Sequence, residues 1–333
     1  MKKVINSKET LIDDMIAGFL VAEEKTITQS SADPRVLYRK EKVPGKVGIV
    51  SGGGSGHEPL FLGLLGKNMV DAVAIGNIFA APTPATVLEA IKEADQGVGV
   101  ICLFGNYDGD VLNFDMGAEL AMMEDIEVIN LPISDDIASS TVHEERRGIA
   151  GDLFVIKEVA AAAAKGFNLE QCQAIGKKAN RQTFSIGVGI QPGINPMTEE
   201  KNFELAEDEI EFGLGIHGEP GMEKLKMCDA HTLVNKMAMA LLNELDKFEE
   251  KQLVVCINGL GSTTHLELYT VNFELNKILQ EHQFIVVDTE IGCICTTQEM
   301  AGFSLTTQVL TDDLIELYQM EAYSPCYFHK GGY

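Results

Sequence analysis

Gly52-Gly53-Gly54-Ser55-Gly56 follows an apolar run at residues 46–51 and directly precedes His57-Glu58-Pro59. No other stretch limits the backbone so strongly. A strand ending in glycines is expected to turn sharply and leave backbone N–H groups bare toward a small polar ligand. His57, on the lip of that turn, adds a titratable donor or acceptor to the same cleft. Two familiar readings fail. No Lys-Ser/Thr follows the glycines, as a phosphate loop needs, and His-Glu-Pro interrupts the helix start of a dinucleotide-binding turn. A purely structural turn is the alternative.

With 333 residues the chain is long enough for two domains. A net charge of −24 argues against direct contact with nucleic acid or an anionic membrane, since both need basic patches. Any role near DNA would run through another protein. Met1-Lys2-Lys3-Val4-Ile5-Asn6 leads into polar residues, unlike a signal peptide, and no apolar run approaches the roughly 18 residues of a membrane span. The expected location is the cytoplasm. Cys102, Cys172, Cys228, Cys256, Cys293, Cys295 and Cys326 are odd in number and lack metal-ligand spacing, so they read as free thiols. On a strand, Cys293 and Cys295 would point to one face. No metal or cofactor is expected.

Short Val/Ile-rich runs bounded by glycine predict strands at 46–51, 70–75, 98–104 and 126–131. Helical spacing marks 86–92, 112–123 and 152–165, the last with a five-alanine run. Asn168 and Gln171 form a capping-box pattern for a helix ending near Asn180. The second half repeats the alternation: strands at 184–190, 253–257, 284–287 and 305–310, helices at 229–248 and 266–280. The expected fold is α/β with two domains, residues 1–182 and 183–333, each a mainly parallel or mixed sheet flanked by helices. Residues 191–227, rich in Pro, Gly and acid, show little regular pattern and are too long for a passive connection.

That segment holds Gly213-Leu214-Gly215-Ile216-His217-Gly218-Glu219-Pro220-Gly221. A histidine among glycines has no bulky neighbours to bury it, so His217 reads as an accessible nucleophile, base or ligand. Its pattern echoes Gly56-His57-Glu58-Pro59, which suggests one cleft seen from two sides. Asn106-Tyr107-Asp108-Gly109-Asp110 lies just past a strand's carboxyl end, where ligand sites gather. Asp110 either caps a helix or faces a ligand. Arg146-Arg147-Gly148 is either an anion clamp or ordinary surface charge, and Asn258-Gly259-Leu260-Gly261 reads as a structural turn.

Taken together, residues 52–59, Pro82-Thr83-Pro84, residues 106–110, 146–148, 215–221 and 258–261 resemble the dihydroxyacetone kinase substrate-subunit (DhaK) family, nearly end to end. The resemblance implies that His217 bonds through a ring nitrogen to the ketone carbon of dihydroxyacetone, giving a hemiaminal. It implies that His57 and Asp110 hydrogen-bond the hydroxyls and that the backbone at Gly53 and Gly54 completes the pocket. A triose has too few atoms for tight non-covalent binding, at about 1.5 kcal/mol per heavy atom at best, so a reversible covalent bond is physically reasonable.

The chain also departs from the kinase subunits. Gly105 and Asp108 stand where they typically carry Lys and Thr, and Ala80-Ala81 where they carry Thr-Ser. Phosphoryl transfer depends on positive charge around the moving group, so these changes oppose it. The retained histidines with a stripped rim are similar to the DhaQ branch. That likeness implies a dihydroxyacetone-binding coactivator of a TetR-type regulator such as DhaS, and a homodimer. The alternative is the substrate subunit of a phosphotransferase-dependent dihydroxyacetone kinase.

Overall fold

Alternating strand and helix periods produce two six-stranded sheets in the computed structural model, which describes residues 2–332. The helix α1 (Leu11–Glu23) and the short strands β1 (Ile27–Gln29) and β2 (Val36–Arg39) precede the first predicted element. Then come β3 (Gly48–Ser55), β4 (Ala72–Ile78), α2 (Pro84–Ala94), β5 (Val100–Gly105), α3 (Asp108–Met122) and β6 (Val128–Ile133). The first sheet runs β1-β2-β4-β3-β5-β6; its four inner and late strands are parallel neighbours, and β1 and β2 pair antiparallel at one edge.

Helices α4 (Asp152–Ala164) and α5 (Leu169–Arg181) follow, and Asn168 and Gln171 form the expected capping box. Residues 152–163 of α4 are all buried, including Lys157 and Glu158. The alanines let neighbours approach on every side, and the core around α4 also takes in Val254, Cys256, Leu314 and Tyr318 from the second half. Lys157 Nζ donates to the carbonyls of Leu317 (3.2 Å) and Met320 (2.8 Å).

The second half comprises β7 (Thr183–Gln191), β8 (Glu209–Phe212), β9 (Glu223–Lys226), α6 (Ala230–Leu245), β10 (Gln252–Gly259), α7 (His265–Glu281), β11 (Ile285–Gly292), β12 (Ala301–Val309) and α8 (Asp312–Tyr318). Its sheet runs β11-β10-β12-β7-β8-β9 and is parallel only between β10 and β11. The return from β11 to β12 is a short loop without a helix, too short for a parallel crossover, so β12 comes back antiparallel.

Three local expectations need correction. Gly52 and Gly53 do not turn: they continue β3, opposite Ala74 and Ile75 of β4, and the turn comes after Ser55. Glycine is required there by close approach, since a Cβ on Gly52 would lie 2.3 Å from the Ala74 carbonyl oxygen and one on Gly53 would lie 2.4 Å from the Phe61 ring. The connection at 191–227 is not patternless, for β8 and β9 pair as a hairpin within it. Cys293 and Cys295 lie in the loop past β11 rather than on a strand. All seven cysteines are free, four of them buried. Among the described residues no helix is long and apolar enough to cross a membrane.

Candidate functional site

Parallel strands β3 and β5 deliver their carboxyl ends side by side, and the chain leaving each supplies pocket wall: His57 after β3, Tyr107 and Asp110 after β5. Across from them, the loop joining β8 to β9 carries His217 in from the second sheet. One pocket is lined by Gly53, Gly54, His57, Tyr107, Asp110 and His217, together with Phe61, Gly105, Gly148, Asp152 and their neighbours. The two histidines meet ring to ring, Nε2 to Nε2 at 2.9 Å. Phe79 stands 5.1 Å from the His57 ring and Tyr107 4.9 Å from the His217 ring, enclosing the pair in aromatic walls.

Each histidine is oriented through its other nitrogen. His57 is buried and its Nδ1–H donates to the Thr296 carbonyl at 2.7 Å. Burial, reinforced by the neighbouring His217, lowers the His57 pKa to about 3, so the resting ring is neutral and any proton it takes up is readily given away. The loop bearing Thr296 hangs on buried Asn258, whose amide donates to the Cys295 carbonyl (2.8 Å) and accepts from the Ile294 and Cys295 N–H groups (2.8 and 2.9 Å). The Asn258 turn is structural, and its structure positions His57.

His217 is held by Glu219, two residues on. One carboxylate oxygen accepts from the His217 backbone N–H (2.8 Å) and the other from Nδ1–H (2.9 Å). Burial opposes ionisation of Glu219, but the hydrogen bond and charge of His217, with help from Arg147, win and hold the carboxyl at about 2. The echo between the two motifs has a shared geometry, because Glu58 likewise accepts from the backbone N–H of Gly56, two residues back. Only Glu219 also reaches a ring.

Asp110 is not a cap. Helix α3 begins at Asp108 behind Tyr107 without a side-chain cap, and Asp110 lies inside its first turn. Its Oδ1 is buried and meets no hydrogen-bond partner, and burial lifts its carboxyl to about 6. The arginines are neither surface charge nor a free clamp. Arg146 is buried against Glu244 (2.9 Å), and Arg147 is bound to Asp136 (2.7 Å) with Glu219 at 4.0 Å, bracing the His217 loop. Asn106, too, is scaffolding, donating to the carbonyls of Glu144 and Arg146. Sequence reasoning missed Glu219 as the support of His217, and Tyr107 and Asp152 as pocket groups. Glu219 left a signal in its place two residues past His217, within the glycine-flanked motif.

The Dak1 domain model matches residues 17–326. The chain belongs to the Dak1 family. The dihydroxyacetone-binding subunit DhaK of PTS-dependent dihydroxyacetone kinase 2 from Listeria innocua is 38% identical over 327 residues, covering 98% of each chain. The DhaKLM operon coactivator DhaQ of Lactococcus lactis is 32% identical over 312 residues, 91% of this chain and 93% of that one. A solved structure of a dihydroxyacetone kinase operon co-activator, DhaQ, superposes with a TM-score of 0.88 at 28% identity over 95% of this chain and 98% of its own. Dak1 relatives of this chain thus include both kinase subunits and a coactivator.

Proposed function

We propose that this Dak1 protein captures dihydroxyacetone as a hemiaminal on His217 and reports the captured ligand to a TetR-type transcription regulator. The observation that carries the capture is the 2.9 Å contact between the two Nε2 atoms. Assigned from their partners, both Nδ1 atoms are donors, because a carbonyl and an ionised carboxylate can only accept. The contact is then a hydrogen bond only if one further proton sits between the rings. Placed on His217 it satisfies all four nitrogens, with the positive ring facing Glu219.

That arrangement supports carbonyl addition. The shared proton passes to His57 Nε2 as the freed His217 lone pair attacks the ketone carbon. One C–N bond forms, the C=O π pair moves to oxygen, and that oxygen takes the proton from His57. Charge is conserved, remaining on the His217 ring opposite Glu219. Asp110 Oδ1 is available to accept from a ligand hydroxyl. Intact-protein mass spectrometry with dihydroxyacetone tests this: one triose per chain is expected, absent in His217→Ala. An adduct that persists in the variant overturns it.

The regulatory half rests on what surrounds the ligand. No Lys or Arg lines the pocket, Gly105 contributes backbone alone to it, exposed Asp108 follows the lining residue Tyr107 in the chain, and Arg147 is engaged by Asp136. A phosphoryl group arriving there would meet carboxylates rather than cations. The second reading, a kinase substrate subunit, is favoured by the 38% identity to DhaK. Adding a nucleotide-carrying subunit and its phosphoryl donor separates the two: turnover to dihydroxyacetone phosphate sinks the coactivator reading. Ligand-dependent association with the regulator, without turnover, supports it.

A further inference from the structure

The pocket contains a buried carboxyl that the capture step does not use. Asp152 opens α4, is only 1% exposed, and lines the same pocket as His57, Asp110 and His217. Its Oδ1 has no hydrogen-bond partner, and Asp110 Oδ1 is in the same condition. The space against Asp152 is kept open by Gly148, where a Cβ would come within 3.0 Å of Oδ1.

A structural role does not account for this carboxyl. The acid that organises the local backbone is Asp135, which accepts from the N–H groups of Ile149 and Gly151 at 2.8 Å each. A buried polar atom left without a partner is costly and seldom tolerated without a reason. Two such atoms on carboxyls lining one small pocket suit a ligand group able to hydrogen-bond both.

We propose that Asp152 is a specificity-determining residue that donates a hydrogen bond to a ligand hydroxyl, which in turn donates to Asp110. The proposal rests on the ketone-capture reading above and adds which part of the ketone is recognised. Burial and the nearby charges of Asp135 and Asp110 push the Asp152 carboxyl well above the usual range, which favours the protonated form able to donate. The less buried Asp110, at about 6, is the acceptor. A hydroxyl both accepts and donates, so it completes the chain from Asp152 to Asp110. A methyl or hydrogen completes neither contact and leaves both carboxyls stranded. The chosen ligands are therefore α-hydroxy ketones, and plain ketones are rejected even though their carbonyls suit His217.

The test compares dihydroxyacetone with acetone, the same ketone without hydroxyls. Adduct formation is followed by carbon-13 NMR of the carbonyl carbon, and acetone is measured by competition. The proteins are wild type, Asp152→Ala, Asp152→Val and Asp152→Asn, with thermal melts alongside. In wild type, dihydroxyacetone should be preferred. In whichever of the Ala and Val variants folds, it should weaken by about tenfold or more while acetone holds or improves, so the preference collapses. Asp152→Asn keeps an N–H donor in place and should retain the preference to within a few-fold. A wild-type adduct whose dihydroxyacetone-to-acetone ratio is unchanged in Ala or Val, or lost equally in Asn, overturns this proposal alone. No adduct in wild type overturns the capture reading, and this one with it.

Discussion

Replacing Glu219 by Gln probes the support of the nucleophile without disturbing its shape. The carboxylate accepts from both the backbone N–H and the ring Nδ1–H of His217. Hydrogen bonds to a charged acceptor contribute about 1.5–3 kcal/mol and neutral ones about 0.5–1.5. A glutamine amide can keep one of the two contacts as a neutral acceptor. The expected loss is about 1–1.5 kcal/mol, roughly a five- to tenfold weaker adduct, since 1.4 kcal/mol is tenfold. The loss falls on the adduct because its ring charge, fixed by the new C–N bond, faces that carboxylate. Glu219 is partly exposed, with a side-chain accessibility of 31%, so solvent screening keeps the effect from being larger. Titrating carbon-13-labelled dihydroxyacetone measures it directly, as the carbonyl signal moves to the tetrahedral range on capture. An affinity within twofold of wild type would refute the assignment of Glu219 as the residue that sustains the His217 cation.

Because Asp110 is raised to about 6, its acceptor form is lost as pH falls through that value, so ligand retention should weaken below pH 6. Asp110→Asn should flatten that limb of the pH profile; a profile identical to wild type would remove Asp110 from the site. His57 is lowered to about 3, so in the fold it resists the proton that the unfolded chain takes up below about pH 6.5. Its contribution is present above that pH and should decline as pH falls toward 3, and melts of His57→Phe should show a shallower acid decline. Asn258→Ala strips several buried hydrogen bonds and should cost about 3 kcal/mol or more in denaturant unfolding, with weaker triose retention as the Thr296 loop releases His57. Gly105→Lys with Asp108→Thr restores a cation and a hydroxyl at the rim, and a Cβ at 105 meets only tight contacts of 3.3 Å or more. With a donor subunit present, phosphorylation should rise at least about tenfold above the parent, and no gain would show that the rim residues are not what opposes transfer.

The strands and helices with strong period were legible in the sequence, as were the capping box at Asn168 and the two histidine motifs, because these are local patterns of apolar spacing and backbone chemistry. Four-residue strands such as β8 and β9 carry too short a pattern to see, and their pairing depends on a partner that periodicity does not name. Why the glycine run must be glycine was likewise a tertiary matter. Gly52 is forced by the Ala74 carbonyl of a neighbouring strand, not by a turn. The paired arginines read as surface charge or an anion clamp until the fold supplied buried Asp136 and the half-buried Glu219 and Glu244 as partners. Motifs alone placed His57 and His217 in one reading, yet 160 residues separate them, and only the meeting of two sheets sets their nitrogens 2.9 Å apart. Asp110 and Asp152 are ordinary acids in the sequence. Their unpartnered oxygens and raised affinity for protons arise from burial, which exists only once the chain has closed around them.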